Sequence, residues 1–283
     1  MVAQLKLVLV NSDMAPDLID DYTRFLRRRR RADGTIKLRL FYLKKFDAFL
    51  GNRALVQAST DDMYDFLDAN THWAGGTQQS VVATLRSFYS WAASKGPMSE
   101  DPSEELWAEK VHRPPSRIAS EDAIRQALDG ATDSMKAMIL LGAECGLRVA
   151  EIAALNVADR HDDFLTIIGK GNRQRTVHLS HELATLLTML ENTTARFGNY
   201  FPGQYPRNPI HPSTAWSRIT KTLGSNPHSL RHRAGSVAYR KSGNDLRLAQ
   251  VMLGHASPVT TAIYVHVQDD DLRRASTATR VAA

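Results

Sequence analysis

Six residues in the second half of the chain have side chains suited to phosphate chemistry. In chain order they are Arg148, Lys170, His228, Arg231, His255 and Tyr264. Guanidinium groups can each bond two oxygens of a phosphodiester in a planar, bidentate geometry. A phenol can attack phosphorus as a nucleophile, while a lysine or a histidine moves the protons. The set predicts metal-free cleavage of a phosphodiester with Tyr264 as the nucleophile.

Taken singly, these residues have ordinary structural interpretations. Arg148 precedes Glu151 by three residues, the spacing of a helical surface ion pair. Lys170 lies between two glycines at a predicted hairpin tip, where lysines are commonly solvated, although a mobile tip could also enter a DNA groove. His255 follows a glycine and could cap a helix end, and Tyr264 could pack in a core. From the single residues alone, both interpretations stay open.

The metal-binding alternative rests on His228 and His232, which have the i, i+4 spacing of a zinc pair. No third ligand with suitable spacing is evident, and Arg231 and Arg233 put positive charge beside the pair. We therefore expect no metal site. The one cysteine, Cys145, excludes an internal disulfide and a cysteine-rich zinc module.

The size and charge of the chain limit the classes of protein to which it can belong. The chain has 283 residues and a net charge of +6, with a pI of about 9.5. Length suggests two domains. The basic balance indicates either polyanion binding or simply a basic surface. No apolar run reaches the ~18 residues of a membrane span, and the N-terminus lacks the features of a signal peptide. We expect a cytoplasmic protein without a membrane partner.

Helical periodicity dominates the first half after an N-terminal tail, 1–13. A helix is predicted from Asp17 to about Arg30. A second helix follows, with Thr35 as its N-cap and Gly51 just beyond its end. Two more are predicted, one capped at Ser59 and one ending at Gly96. These helices form a bundle over 14–100, and a proline-containing linker is predicted over 101–118.

The second domain, 119–283, is predicted to mix helices with a small sheet. An apolar helix runs from Asp133 to Cys145, and two strands, 164–168 and 175–179, flank the turn that carries Lys170. Ser180 and Ser213 are predicted to cap the next two helices, and the remainder is helical to about residue 274. The fold class is therefore mainly α with a small β-sheet.

Four stretches together carry a family resemblance. They are 144–155 (ECGLRVAEIAAL), 168–179 (IGKGNRQRTVHL), 228–233 (HSLRHR) and 253–267 (LGHASPVTTAIYVHV). With them the sequence resembles the tyrosine recombinases, also called phage integrases, over the whole second domain. Arg233 departs mildly from the small or hydroxyl residue expected there. The resemblance implies a helical core-binding, SAM-like domain followed by a tyrosine recombinase catalytic domain.

The resemblance also implies a mechanism and a set of roles. Tyr264 attacks the scissile phosphate and forms a 3′-phosphotyrosyl link without any cofactor. Arg148 and Arg231 hold the phosphate oxygens, Lys170 protonates the leaving oxygen, and His228 takes or relays the tyrosine proton. His255 hydrogen-bonds the phosphate.

By the same resemblance, the partner is double-stranded DNA with inverted core-type sites, clamped between the two domains. The tail from Asp269 onward, with Leu272 as an apolar anchor, passes to a neighbouring subunit in a tetramer on the DNA. Strands are exchanged through a Holliday junction. Expected contacts with the DNA backbone are basic residues of the first domain: Arg27, Arg28, Arg29, Arg30, Arg31, Lys44, Lys45 and Arg86.

The biological role is open between two kinds of recombinase. Few residues precede the first helix, so we expect no arm-binding domain. That leaves a compact phage integrase, which we favour, or a Xer-type enzyme that resolves chromosome or plasmid dimers. The terminal Val281-Ala282-Ala283 resembles a protease-recognised tail, or is a frayed end. Rival classes are a DNA-binding accessory protein without catalysis and a type IB topoisomerase.

Overall fold

The chain folds into two compact units that divide between Arg113 and Pro114. The computed structural model describes residues 15–108, 117–169, 173–195 and 198–254. Each unit has its own hydrophobic core. The predicted fold class, mainly α with a small sheet, is confirmed.

The first unit is a helical bundle. Its helices are α1 (Ala15–Arg28), α2 (Asp33–Leu50), α3 (Thr60–Asp68) and α4 (Gly75–Lys95), with a short 3-10 helix at Leu55–Gln57. Aromatic side chains fill its centre, where Tyr22 contacts Phe88 edge-on at 5.3 Å between ring centroids. Both rings are fully buried, so α1 is fixed to α4 through the core.

Helix boundaries in this unit confirm two predictions and correct one. Ser59 caps α3 by accepting a hydrogen bond from the Asp62 N–H. Gly51 follows α2 with a φ of 65°, in the left-handed region that favours glycine. The prediction that Thr35 caps α2 is wrong. The helix begins at Asp33, whose negative charge in the first turn suits the positive end of the helix dipole.

Part of the predicted linker lies against the first unit. Leu106 is fully buried in its core. The Thr60 hydroxyl donates to the Pro102 carbonyl at 2.6 Å, and the Tyr64 hydroxyl donates to the Glu105 carbonyl at 3.1 Å. Residues 101–108 therefore pack on the bundle, because Leu106 supplies an apolar anchor that the proline content obscured.

The second unit surrounds a small antiparallel sheet with helices. The helices are α5 (Glu121–Leu128), α6 (Asp133–Ala143), α7 (Val149–Ala154), α8 (His181–Thr193), α9 (Pro212–Leu223), α10 (His228–Lys241) and α11 (Leu246–Leu253). The strands are β1 (Arg160–His161), β2 (Phe164–Ile168) and β3 (Gln174–His178), in the order β1-β2-β3. The predicted hairpin is confirmed, with Thr166 opposite Thr176. The short strand β1 was not predicted.

Apolar residues of α6 form the middle of this unit, and Leu141 in the last turn of the helix is fully buried. Ser180 caps α8 as predicted. The prediction that Ser213 caps α9 is wrong, because Pro212 occupies the first turn and the ring of His211 accepts from the Ser213 N–H. Among the described residues, no helix has both the length and the hydropathy needed to cross a membrane.

Candidate active site

Arg148 lies at the N-terminal boundary of α7, just after a sharp turn. Gly146 makes this turn with a φ of 64°. The Arg148 backbone N–H donates to Glu151 at 2.8 Å, and its guanidinium donates to the same carboxylate at 2.9 Å. The ordinary ion pair is therefore present. The Arg148 side chain nevertheless remains 37% exposed, so part of this side chain is accessible to a ligand.

A groove of about 480 Å³ adjoins Arg148. Thr166 on β2, Glu151 on α7 and Gly169 line its wall. The Gly169 N–H bonds the Arg173 carbonyl at 2.8 Å, which closes the base of the hairpin. The structure thus brings the base of the lysine-bearing hairpin to the same groove as Arg148, while Lys170 itself lies outside the described residues.

Arg231 is buried, with 1% of its surface exposed. Its guanidinium donates to the carbonyl of Gly146, and a second N–H donates to the carbonyl of Leu253 at 2.7 Å. A buried cation requires such acceptors, because desolvation without them is costly. Arg231 therefore joins α10 to the turn before Arg148 and to the end of α11.

His228 is the first residue of α10 and lies close to both arginines. Its backbone N–H donates to the Asn226 side chain at 2.8 Å. Desolvation, followed by the positive charges of Arg231 and Arg148, lowers the pKa of His228 below its ordinary value. The shift favours the neutral imidazole, which is the form that can accept a proton. His255 and Tyr264 lie outside the described residues.

His232 lies one turn beyond His228, and the two rings meet edge-to-face at 4.9 Å between centroids. Burial, followed by the charges of His228 and Arg231, lowers the pKa of His232 to about 4. Within the described parts of the chain, no group of three or more His, Cys, Asp or Glu side chains could hold a metal ion.

Glu151 and Arg175 belong to this site, although sequence reasoning did not select them. Arg175 on β3 bonds both carboxylate oxygens of Glu151, at 3.0 and 2.7 Å, and its Nε donates to the Met252 carbonyl at 3.1 Å. The strand pattern carried a signal for Arg175. Alternate residues of β3 face inward, so Arg175 shares the buried face with Val177.

Arg233, the departure from the family pattern, has a structural explanation. Its side chain pairs with Glu121 at 2.8 Å and donates to the Ala143 carbonyl at 2.8 Å. It thereby joins α10 to the start of α5 and to the end of α6. A small residue at this position could not make these bonds.

The predicted DNA-contacting residues of the first unit are all exposed. Arg29, Arg31 and Arg86 line one notch of about 640 Å³. Lys44 and Lys45 do not line it, and Lys45 lies over the rings of Phe41 and Trp73 instead. The notch also contains Arg39, which was not among the predicted DNA contacts. Its guanidinium donates to Ser87 at 2.6 Å and to the Tyr22 hydroxyl at 3.3 Å.

Comparison with protein families gives a match over most of the second unit. A model described as the phage integrase family matches residues 117–271. This range contains all four stretches that carried the resemblance.

Curated relatives extend the similarity over both units. Tyrosine recombinase XerC of Caldanaerobacter subterraneus is 30% identical over 277 residues, covering 90% of this chain and 77% of the relative. Tyrosine recombinase XerD of Rhizobium meliloti is 29% identical, with 92% and 94% covered. Tyrosine recombinase XerA of Pyrococcus horikoshii is 27% identical, with 94% and 93% covered.

Solved structures share the fold. A lambda integrase tetramer bound to a Holliday junction is similar with a TM-score of 0.72 and 18% identity, covering 90% of this chain and 82% of that one. The XerH site-specific recombinase bound to its difH substrate gives a TM-score of 0.65 and 18% identity, covering 96% and 85%. At this identity the likeness concerns the fold alone.

Proposed function

The chain belongs to the phage integrase family and is a tyrosine recombinase, an enzyme that cleaves and rejoins DNA, and from this premise we propose that it acts through a 3′-phosphotyrosyl intermediate on Tyr264. The observation that carries the proposal is the clustering of Arg148, His228 and Arg231. The two guanidinium groups lie close to the imidazole of His228. Arg231 also donates to the carbonyl of Leu253, two residues before His255. Guanidinium groups can bind a phosphodiester, and an imidazole can accept a proton.

In this mechanism the phenolic oxygen of Tyr264 attacks the scissile phosphorus and the 5′-oxygen of the next nucleotide leaves. One phosphoester bond forms as another breaks, so the bond energy is kept for rejoining and no nucleotide cofactor is consumed. The phenol has an ordinary pKa of about 10 and must lose its proton during attack. We assign that proton to His228, because its lowered pKa favours the neutral imidazole that can accept it.

Arg148 and Arg231 hold the non-bridging oxygens of the phosphate. Negative charge on these oxygens is greatest at the pentacoordinate transition state, so fixed cations stabilise that state more than the bound substrate. The bonds from Arg231 to two backbone carbonyls fix its guanidinium before DNA arrives. We assign protonation of the leaving oxygen to Lys170 and a hydrogen bond to the phosphate to His255.

The first unit supplies contacts with the DNA backbone. The proposed residues are Arg27, Arg28, Arg29, Arg30, Arg31, Lys44, Lys45 and Arg86, all exposed. Lysines and arginines placed on phosphates release condensed counterions, which favours binding without specifying sequence. The partner is double-stranded DNA with inverted core-type sites. The segment from Asp269 onward joins neighbouring subunits of a tetramer.

The Xer-type role is the better supported biological assignment. The relatives named above are Xer recombinases matched over 90–94% of this chain. We therefore propose resolution of chromosome or plasmid dimers in the cytoplasm. Phage integration, the role favoured from the sequence, is the second candidate, and the family description is compatible with it.

Capture of covalent protein–DNA adducts tests the proposal. Binding sequences are first selected from a randomised duplex library, and duplexes with a nick beside the cleavage position are then synthesised. Denaturing gels should show a covalent adduct with the wild-type chain, and peptide mapping should find the DNA on Tyr264. Binding without an adduct would favour the non-catalytic accessory protein. Relaxation of a supercoiled plasmid that lacks the selected sequence would favour a topoisomerase.

A further inference from the structure

A cluster of three charges, two of them buried, adjoins the groove beside Arg148. From the described residues, the carboxylate of Glu151 accepts four hydrogen bonds, two from Arg148 and two from Arg175. Each carboxylate oxygen accepts one bond from each arginine. Glu151 therefore bridges the two guanidinium groups and leaves the cluster with one net positive charge.

Burial is deepest at the Arg175 end of the cluster. The side chains of Arg175 and Glu151 are 7% and 9% exposed, whereas that of Arg148 is 37% exposed. Burial by itself would favour the neutral acid. The hydrogen bonds from Arg175 and from the Arg148 backbone outweigh it and lower the pKa of Glu151 to about 2. Glu151 is thus a permanent negative charge beside Arg148.

Arg175 also touches the two places where the chain approaches Lys170 and His255. A methyl group built on Gly169 would lie 3.6 Å from the Arg175 guanidinium. One built on Gly254 would lie 2.9 Å from its Cδ. With the bond from Arg175 to the Met252 carbonyl, this side chain contacts α7, the hairpin base and the end of α11.

We propose that Arg175 is a positioning residue for the cleavage reaction, which neutralises Glu151 so that the positive charge of Arg148 stays available to the scissile phosphate. The inference rests on the proposed function, in which Arg148 binds that phosphate. With Arg175 present, the charges of Arg148, Glu151 and Arg175 add to +1. Without it they add to zero, and Glu151 holds Arg148 as a closed ion pair.

A charge-removal cycle tests this role. The variants are Arg175→Met, Glu151→Gln and the double variant, assayed by the rate of covalent adduct formation on the selected nicked duplex. Arg175→Met should lower the rate at least about thirtyfold. Removing the carboxylate as well leaves Arg148 with its full charge. The double variant should therefore form the adduct at least about tenfold faster than Arg175→Met. Arg175→Lys keeps the charge and should lie between wild type and Arg175→Met.

A second substrate separates charge from shape. Replacing one non-bridging oxygen of the scissile phosphate by methyl gives a neutral methylphosphonate. If Arg175 acts through charge, its loss should slow methylphosphonate cleavage much less than phosphodiester cleavage. A purely structural role would slow both substrates by the same factor.

Arg160→Met is the matched control, since Arg160 forms a largely buried ion pair with Glu191 at 2.9 Å and neither residue lines the groove beside Arg148. It should lose thermal stability yet keep the adduct rate per folded, DNA-bound molecule. An unchanged rate in Arg175→Met, a double variant no faster than Arg175→Met, or equal losses on both substrates would each overturn the inference. Absence of any adduct with wild type would instead overturn the proposed function.

Discussion

The guanidinium of Arg231 donates a hydrogen bond to the carbonyl of Gly146, two residues before Arg148. The same guanidinium also donates to the Leu253 carbonyl, two residues before His255. One buried side chain thus fixes the backbone next to two of the proposed catalytic residues. Arg231 is therefore both a proposed phosphate ligand and a structural part of the site.

Replacement of Arg231 by lysine tests whether the site needs the guanidinium geometry in addition to a positive charge. Lysine keeps the charge but lacks the planar fork, so it cannot bond both carbonyls and a phosphate together. We expect adduct formation to fall by about 10²–10³-fold, the usual cost of losing a fixed transition-state donor. Arg240→Lys, on the exposed part of the same helix, should leave the rate unchanged. Comparable rates for wild type and Arg231→Lys would remove Arg231 from the phosphate site.

Tyr264→Phe tests the nucleophile. The substitution removes one oxygen atom and keeps the ring, so the selected duplex should bind with unchanged affinity while no adduct forms. Tyr205→Phe is the control, because Tyr205 is 69% exposed and lies in the loop between α8 and α9. Any adduct formed by Tyr264→Phe at the wild-type rate would show that another residue attacks.

Local sequence patterns predicted most helices and strands of this fold. The features that they missed depend on tertiary contacts. Strand-forming residues on either side of a glycine-rich turn predicted β2 and β3, and the structure buries one face of each strand. The strand β1 has only two residues, too few to show a period, and is fixed by its pairing with β2. The sequence placed Leu106 in the linker because the residues that it packs against lie far away in sequence.

The candidate site was predictable only in part, for a similar reason. Arg148, His228 and Arg231 were selected by residue type and family motif, and the structure brings them together. Arg175 is 24 residues from Glu151 in sequence, so no local spacing could pair them. The roles of all six residues stay predictions, and Lys170, His255 and Tyr264 also lie outside the described part of the chain.

Metal removal should leave cleavage intact. The proposed site stabilises the phosphate with guanidinium groups and moves protons with imidazole and amine groups, so no step requires a divalent cation. Adduct formation in excess EDTA should match that in magnesium to within about threefold, with the residual difference coming from ionic effects on DNA binding. A strict requirement for a divalent cation would contradict the mechanism.

Acid should destabilise the second unit through His232. The neutral form is favoured in the folded protein, where its pKa is about 4, while the unfolded chain binds the proton near its ordinary pKa of about 6.5. The contribution is complete above the unfolded pKa and is lost as pH falls towards 4, by at most about 3 kcal/mol. Denaturant unfolding at pH 7 and pH 4.5 should show a smaller loss for His232→Gln than for wild type. Equal losses would mean that His232 is not the group responsible.

The salt dependence of DNA binding tests the notch on the first unit. Each arginine that contacts a phosphate should contribute about 0.9 to the slope of log affinity against log salt concentration. Arg29→Gln, Arg31→Gln and Arg86→Gln should each reduce the slope by about that amount on a mixed-sequence duplex. Arg53→Gln is the matched control, because Arg53 is also exposed but bonds Asp62 at 2.9 and 2.6 Å, which neutralises its charge. If the three notch variants kept the wild-type slope, these arginines would not contact the DNA backbone, and the binding face of this unit would lie elsewhere.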